Sequence, residues 1–180
     1  MRGRDKLLED VDGEALLRRQ ARRACATGYP VLATLPPDRP DRAAALKGLD
    51  IQPVTVADAA SGMAASLRAG IAALPAEATA VMILLADLPD LDTPDLLKVA
   101  DCHAAHPDRV IQATSEQGKP GHPVILPRRL FAALGALVGD QGAKPVLASE
   151  MALFCPLQGN RALTDLDTPE AWAAWRAARQ

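Results

Sequence analysis

The apolar residues of this chain follow two spacings in alternation, and the alternation predicts helices that connect short strands. Residues 14–26 place apolar side chains on one face and arginines on the other, which is typical of an amphipathic helix. Short apolar runs at residues 29–35 and 51–56 predict strands, and Gly62 opens a second helix with an apolar face. Residues 80–85 are apolar at every position, as in a central parallel strand that helices cover on both sides.

The second half of the chain continues the alternation and begins two helices in the same way. Asp92-Thr93-Pro94 and Asp167-Thr168-Pro169 each combine capping residues with a proline, which predicts a helix start at each place. The strands predicted here lie at residues 110–114, 123–126 and 153–157. Strands that alternate with helices are typical of βαβ units. The prediction is one α/β domain over residues 1–180, with a mostly parallel sheet.

Composition narrows the classes of function. Of the 180 residues, 20 are Lys or Arg and 22 are Asp or Glu, so the formal net charge is −2 and no basic excess is available to bind a nucleic-acid backbone. No apolar run approaches the length of a membrane span, and the first six residues are too polar to begin a secretory signal. The three cysteines are far apart and form no CxxC pair. We therefore expect a cytoplasmic protein with reduced thiols and with neither nucleic-acid nor membrane partners.

The candidate chemistry begins with Asp87, which follows the apolar run of residues 80–85. Ligands of open α/β sheets collect at the carboxyl ends of the strands, and a carboxylate there suits Mg²⁺. The alternative is a loop or capping Asp that faces water. A second carboxylate could come from Asp165 or Asp167; Asp167 is also placed to cap the following helix, so Asp165 is the better candidate ligand.

Three further segments carry weaker signals. Gly62 and the small residues after it could bind an anion through free N–H groups at a helix start. Residues 117–123 form either a flexible binding loop or a plain hairpin connection. Cys102, His103 and His106 invite a zinc interpretation, but they lie near a predicted helix end, where His interacts well with the helix dipole, and no fourth ligand is near in sequence.

Six motifs occur along the chain in a fixed order. They are Met1-Arg2-Gly3-Arg4-Asp5-Lys6, Gly62-Met63-Ala64-Ala65-Ser66-Leu67-Arg68-Ala69-Gly70, Leu85-Ala86-Asp87-Leu88-Pro89, Gly121-His122-Pro123, Gly139-Asp140-Gln141-Gly142-Ala143-Lys144 and Asp165-Leu166-Asp167-Thr168-Pro169. In this order they resemble the MobA-like NTP transferases, which include molybdenum-cofactor cytidylyltransferases and guanylyltransferases. The cytidylyltransferase (MocA-like) branch is the most similar, because it carries the last three motifs together.

The resemblance implies a fold and a reaction. The fold would be Rossmann-like, with three α/β/α layers and a mostly parallel sheet of the nucleotide-diphospho-sugar transferase type. In the implied Mg²⁺-dependent reaction, a terminal phosphate of the acceptor attacks the α-phosphorus of a nucleoside triphosphate and pyrophosphate leaves. CTP is the favoured nucleotide and a molybdopterin cofactor the implied acceptor, with a molybdoenzyme as a possible partner of the product.

The same resemblance assigns roles to individual residues. Lys6 matches the nucleotide-binding lysine of the family and Asp87 its metal ligand, so these two are the implied catalytic residues. With Asp165, Asp87 forms the candidate Mg²⁺ site. The implied nucleotide- or substrate-binding residues are Gly3, Lys6, Gly62, Ser66 and His122.

The chain also departs from the family pattern. Arg2 stands where the family usually has glycine, and Lys144 where it usually has arginine. The first strand and the glycine-rich loop of the family have no counterpart in the sequence. Either the start was assigned to an internal methionine, or the chain has lost this strand and much of its nucleotide site. Loss of a central strand would expose the edges of its neighbours, which favours the first explanation.

Two alternative functions stay open from the sequence. One is nucleotidyl transfer to another phosphorylated acceptor, such as a sugar phosphate. The other is a non-catalytic remnant that acts as a binding partner in the maturation of a molybdoenzyme. An upstream glycine-rich loop would favour the enzyme, and its absence would favour the remnant.

Overall fold

The computed structural model describes residues 5–179 and arranges them as an α/β fold. The helices are α1 (Leu16–Cys25), α2 (Pro40–Ala45), α3 (Met63–Ala72), α4 (Thr93–Ala105), α5 (Phe131–Gly135), α6 (Lys144–Ala148) and α7 (Pro169–Ala177). The strands are β1 (Asp10–Val11), β2 (Glu14–Ala15), β3 (Leu32–Leu35), β4 (Gln52–Thr55), β5 (Ala80–Ile83), β6 (Ile111–Thr114), β7 (Pro120–Pro127) and β8 (Leu153–Pro156). Short 3-10 turns cover Lys6–Leu8, Ala59–Ser61 and Arg128–Leu130.

The strands of the described region form three sheets. The largest has the order β5-β7-β6-β8, β3 pairs with β4 in parallel, and β1 pairs with β2 in antiparallel fashion. The α/β class predicted from the sequence is confirmed, but the largest sheet is mixed, because β7 runs antiparallel to both of its neighbours while β6 and β8 are parallel. The physical reason is the short connection between β6 and β7, closed by a hydrogen bond of 2.9 Å from Ser115 N to Lys119 O. A connection of that length joins antiparallel strands only.

Helices cover both faces of this sheet, which confirms the layered arrangement. On one face, Met82 and Ile125 pack with Val99 of α4. On the other, Val81 and Val124 pack with residues of α3 and α5. Side chains therefore alternate between two cores along each strand, and each fully buried aliphatic side chain contributes about 1.5–3 kcal/mol.

Strand β5 differs from the prediction in its pairing and in its burial. Its apolar run predicts a central parallel strand, yet within residues 5–179 its one strand neighbour is β7, which is antiparallel, and all four of its residues are only partly buried. The two-sided apolar pattern was correct, because α3 and α4 lie on opposite faces of β5. An apolar pattern reports which faces are covered and carries no information on which edges are paired.

The two similar helix starts are capped differently. Helix α4 begins at Thr93, and Asp92 caps it by accepting a hydrogen bond of 3.0 Å from Asp95 N. Helix α7 begins at Pro169, and Thr168 caps it by accepting a hydrogen bond of 3.1 Å from Ala171 N. The predicted competition for Asp167 is therefore absent, since capping of α7 falls to the threonine. This frees the Asp167 carboxylate for another contact.

Helix α7 docks on the N-terminal part of the described chain. Trp172 is 3% exposed, packs with Val11 and Leu16, and donates a hydrogen bond of 3.0 Å to Leu166 O. The cysteines are free thiols, as predicted, and Cys155 is fully buried. No helix formed by residues 5–179 is long and apolar enough to cross a membrane.

Candidate active site

The candidate site is built around the ammonium group of Lys6, which joins two carboxylates from distant parts of the chain. Lys6 Nζ lies 2.6 Å from Asp87 Oδ2 and also forms a short ion pair with Asp167 Oδ1. The side chains of Lys6 and Asp87 are partly buried, at 28% and 21% exposed, whereas the side chain of Asp167 is 62% exposed. One cation thus lies between two anions, with one open side toward solvent.

A short turn and a second ion pair position Lys6. Asp5 caps the 3-10 turn of Lys6–Leu8 by accepting a hydrogen bond of 3.1 Å from Leu7 N. Arg42 of α2 holds the same carboxylate with two hydrogen bonds, from Nε at 2.7 Å and from Nη2 at 3.0 Å. Bidentate contacts of this kind fix orientation as well as charge. Asp5 and Arg42 therefore act as positioning residues for Lys6.

Asp87 belongs to the loop that follows β5, and α1 holds the next part of that loop by its backbone. Gln20 donates a hydrogen bond to Leu88 O, and Arg23 Nη1 donates to Pro89 O at 2.8 Å and to Leu91 O at 2.6 Å. Asp87 Oδ1 is buried and accepts no hydrogen bond from residues 5–179. A buried carboxylate oxygen without a partner is costly, so this atom is available to accept a hydrogen bond or to hold a cation.

The ionisation of the lysine follows from these contacts. Burial opposes its charge, but the hydrogen bonds to Asp167 and Asp87 outweigh burial and raise the pKa of Lys6 above its usual value. The ammonium group therefore stays protonated at neutral pH and remains available as a positive charge for a phosphate group.

The second carboxylate at the site differs from the better sequence candidate. Asp167 reaches Lys6, while Asp165 is exposed and makes no side-chain hydrogen bond or ion pair within the described part of the chain. The role of Asp165 as a metal ligand stays a prediction. No group of three or more His, Cys, Asp or Glu side chains in residues 5–179 is arranged to bind a metal ion. Asp87 and Asp167 are the pair that the fold brings to one cation.

His122 lies at the carboxyl end of β5, on the adjoining strand β7. Its Nδ1 lies 3.5 Å from Ile83 O, and its backbone N–H donates to Ala162 O at 2.9 Å. Burial lowers the pKa of His122, although Ile83 O and the charge of Asp87 partly oppose the shift. The neighbouring Gly121 is required by close packing, because a Cβ there would collide with Ala162 O. His122 thus lies within the electrostatic reach of Asp87, as a largely neutral imidazole at pH 7.

The other predicted binding residues are placed away from the two carboxylates. Gly62 is the N-cap residue that precedes α3. In the first turn of α3, Met63 N donates to Asp140 Oδ1 at 3.3 Å and Ala64 N to Gly139 O at 3.1 Å. The N–H groups expected to bind an anion are therefore already paired within the protein. Ser66 is half-buried and its hydroxyl makes no hydrogen bond to residues 5–179. Gly3 lies outside the described residues.

Replacing Gly62 with Ala is expected to destabilise the fold by about 2–4 kcal/mol, the combined cost of a strained backbone and a lost cap. Its φ of +104° favours glycine, and a Cβ would collide with the Asp140 carboxylate and lie 2.9 Å from Gly139 O. Denaturant unfolding measures the change. Gly28→Ala is the control, because Gly28 has a φ of +79° with open space around it and carries the backbone strain alone. Equal losses in the two variants would contradict the role of the Asp140 contact.

The Asp5–Arg42 pair predicts a pH-dependent stability. Burial opposes ionisation of Asp5, but the hydrogen bonds from Arg42 and Leu7 N outweigh it and lower the pKa of Asp5 below its usual 3.8. The stabilisation is therefore complete above the unfolded-state pKa and is lost as the pH falls through the lower folded-state pKa. Asp5→Asn should keep the cap, lose about 1–3 kcal/mol at pH 7 and show a flatter stability profile below about pH 5. Urea unfolding across this range tests it, and a profile identical to that of the unchanged protein would refute it.

Asp5 and Arg42 were not predicted from the sequence as parts of the site, and Asp167 was named there only as the second choice after Asp165. Asp5 and Arg42 are 37 positions apart, and Asp167 is 161 positions from Lys6. Asp5 had a local signal, since an Asp before a short turn is a typical cap. Arg42 had none, because its role depends on how α2 lies against the first turn. Asp167 and Thr168 are both suitable caps for the helix that Pro169 begins. The local sequence therefore could not show which of the two is free for another contact.

The family of the chain follows from sequence comparison. The sequence model of the MobA-like NTP transferase domain matches residues 1–153, which is well over half of the chain. The chain therefore belongs to the MobA-like NTP transferase domain family, whose class of activity is nucleotidyl transfer. This confirms the resemblance found in the ordered motifs. No curated protein matches the sequence.

Solved structures share the fold. Rv0371c from Mycobacterium tuberculosis H37Rv is similar with a TM-score of 0.83 and 24% identity, over 96% of this chain and 89% of that one. A structure of the same protein in complex with manganese has a TM-score of 0.77 at 23% identity, over 96% and 91%. A CMP:2-keto-3-deoxy-manno-octonic acid synthetase in complex with CTP has a TM-score of 0.74 at 12% identity, over 97% and 91%. These identities are low, so the likeness concerns the fold.

Proposed function

We propose that this chain transfers CMP from CTP to a phosphorylated acceptor, a molybdopterin cofactor, and releases pyrophosphate. The observation that carries the proposal is the position of the Lys6 ammonium group between the Asp87 and Asp167 carboxylates. Nucleotidyl transfer needs a positive charge for the triphosphate and carboxylates for a divalent cation, and it requires no covalent step on the protein. Both requirements meet here at the carboxyl end of β5.

The two carboxylates suit a divalent cation such as Mg²⁺. Asp87 would hold it through Oδ1, which has no partner within residues 5–179, and Asp167 would supply the second carboxylate, with Asp165 as the alternative. When bound, the cation supplies charge neutralisation on the phosphate oxygens. Lys6 would then leave the carboxylates and pair with the triphosphate. The divalent cation would thus take the place of the Lys6 ammonium group at the same acidic pair when the substrate binds.

The choice of CTP and molybdopterin rests on sequence motifs. The motifs around Gly121, Gly139 and Asp165 occur together in the cytidylyltransferase branch that the chain resembles. A structural neighbour is a CTP-bound synthetase that makes a CMP-sugar acid, which is in keeping with a cytidine nucleotide. His122, beside the site and largely neutral, would face the acceptor.

Thermal unfolding with each of CTP, GTP, ATP and UTP, with and without Mg²⁺ or Mn²⁺, tests the nucleotide. A ligand at a hundred times its dissociation constant adds about 2.7 kcal/mol, which raises the Tm by about 5–10 °C for a chain of this size. We expect a cation-dependent rise with CTP. Equal rises with all four would refute the cytidine choice, and no rise with any would refute nucleotide binding by this chain.

Pyrophosphate release tests the acceptor. We expect release from CTP with Mg²⁺ only when molybdopterin is added. Release with a sugar phosphate in place of molybdopterin would assign the chain to the other acceptor class. CTP binding without release of pyrophosphate in the presence of either acceptor would favour the function of a non-catalytic binding partner.

A further inference from the structure

A cavity of about 430 Å³ lies beside the loop that follows Asp87, and its walls have no part in the proposed reaction. It is bounded by α1, by the far end of that loop, by the segment at residues 158–164 and by the end of α7. Lys6, Asp87 and Asp167 do not line it. The volume falls in the range of about 300–1,000 Å³ that small-molecule sites occupy.

Arginines dominate the charge of this cavity. Its walls carry four of them and two aspartates: Arg19, Arg23, Arg161, Arg179, Asp90 and Asp92. Asp92 pairs with Arg161 at 3.0 Å, and Asp90 accepts a hydrogen bond of 2.8 Å from Trp175 Nε1. Behind the wall, Asp95 also pairs with Arg161, at 3.1 Å. The side chains that line the cavity carry two more positive than negative charges, and the carboxylates of Asp95 and Asp12 balance that excess from outside the lining.

The other three arginines of the cavity wall have few carboxylate partners. Arg19 and Arg179 both pair with Asp12, at 2.9 Å and 2.7 Å, so one carboxylate serves two guanidinium groups. Arg23 donates to two backbone carbonyls and pairs with no carboxylate of residues 5–179. Burial, followed by the charge of Arg19, lowers the pKa of Arg23.

One donor in this wall is also unused. The Arg19 side chain is only 13% exposed, and its Nε is buried without a hydrogen-bond partner in the described region. Buried donors of this kind are uncommon and require a partner. Guanidinium groups bind phosphate and carboxylate oxygens through paired N–H donors, and several converging on one cavity select a polyanion.

We infer that this arginine cavity, formed by Arg19, Arg23, Arg161 and Arg179, binds the phosphate groups of a small molecule. Neutral polar groups complete the wall, from Gln158, Asn160 and Thr164, and can bind the rest of such a ligand. The source is either free phosphate and pyrophosphate or a phosphorylated metabolite, because both present the same oxygens. This site is separate from the Lys6 site and does not depend on nucleotidyl transfer.

The test uses a tryptophan that already adjoins the cavity. Trp175 donates to Asp90, and the Arg179 guanidinium lies 4.3 Å from its ring centroid, so a ligand that moves either group alters its fluorescence. The full chain is titrated in EDTA, at constant ionic strength, with phosphate, pyrophosphate, glucose 6-phosphate and citrate, and calorimetry confirms the binding. We expect saturation at or below about 1 mM for at least one phosphate compound, an affinity that a few charge-assisted hydrogen bonds supply.

Variants locate the binding. Arg23→Gln should weaken it by about tenfold or more, as loss of a hydrogen bond to a charged group does, while Arg22→Gln, a neighbour that pairs with Glu14, should leave it unchanged. Arg23→Gln could also disturb the loop that Arg23 holds, so a second variant is Arg179→Gln, at a side chain that is 37% exposed. Arg179→Gln should weaken phosphate binding in the same way. Asp87→Asn should bind as the unchanged protein does, which separates this site from the catalytic one.

The ligands that saturate the cavity distinguish the two sources of phosphate. Saturation by phosphate and pyrophosphate supports the free-anion source, and saturation by glucose 6-phosphate alone supports a phosphorylated metabolite. Binding of citrate without any phosphate compound would overturn the inference. Absence of saturation by all four, an equal effect of Arg22→Gln, or loss of binding in Asp87→Asn would also overturn it.

Discussion

Asp87→Asn is expected to lower cation-dependent pyrophosphate release by about 10²–10³-fold, the range found when one electrostatic contact to a transition state is removed. The Asp87 carboxylate has a buried oxygen, Oδ1, that no described residue satisfies. An amide has the same shape and a single carbonyl oxygen, so it keeps the packing and loses the charge. The measurement is the rate of pyrophosphate release as a function of Mg²⁺ concentration.

The fold of this variant should survive. The Lys6–Asp87 ion pair is partly open to solvent, and such pairs contribute at most about 1 kcal/mol. The Tm of Asp87→Asn should therefore stay within a few degrees of that of the unchanged protein. Full activity in a folded Asp87→Asn variant would refute the assigned role.

A matched pair of variants separates the two candidates for the second carboxylate. Asp167→Asn should raise the Mg²⁺ concentration needed for half-maximal activity, because Asp167 already shares a cation with Asp87. Asp165→Asn, two residues away and exposed, should leave that concentration unchanged. The reverse result would restore Asp165, the choice that the sequence favours.

Lys6→Met is expected to have two opposite effects on binding. Affinity for the triphosphate should fall, with a loss of about 10²-fold in kcat/KM, because a point charge on the phosphates is gone. Affinity for Mn²⁺ in the absence of nucleotide should rise, because the lysine no longer competes for Asp87 and Asp167. Calorimetric titration with Mn²⁺ and with CTP measures both.

A fall in affinity for CTP together with a rise in affinity for Mn²⁺ distinguishes loss of the Lys6 charge from general damage to the site. A merely damaged site would bind both ligands less well. Lys47→Met, which removes the charge of an exposed lysine, is the control and should change neither affinity. Weaker Mn²⁺ binding in Lys6→Met would contradict the exchange of cations proposed for the acidic pair.

Local chemistry in the sequence was enough for part of this site. The apolar run before Asp87 predicted a buried strand, and the carboxylate after it was predicted to lie where ligands collect. Lys6 was found through a motif, since nothing in its own neighbourhood distinguishes it from other lysines. That Lys6 and Asp87 meet is not local information, because 81 residues separate them and only the packing of the first turn against the loop after β5 joins them.

The sequence by itself determined the α/β class, the family, and the two faces of β5 that helices cover, because periodicity and ordered motifs are properties of the chain alone. Tertiary structure decided that β7 lies between β5 and β6, since strand order depends on which edges meet. It also brought Asp167, rather than Asp165, into contact with Lys6. Thr168 and Asp167 are equally plausible caps in sequence, and only the assembled helix start, with the threonine bonded to Ala171 N, leaves the Asp167 carboxylate to reach Lys6.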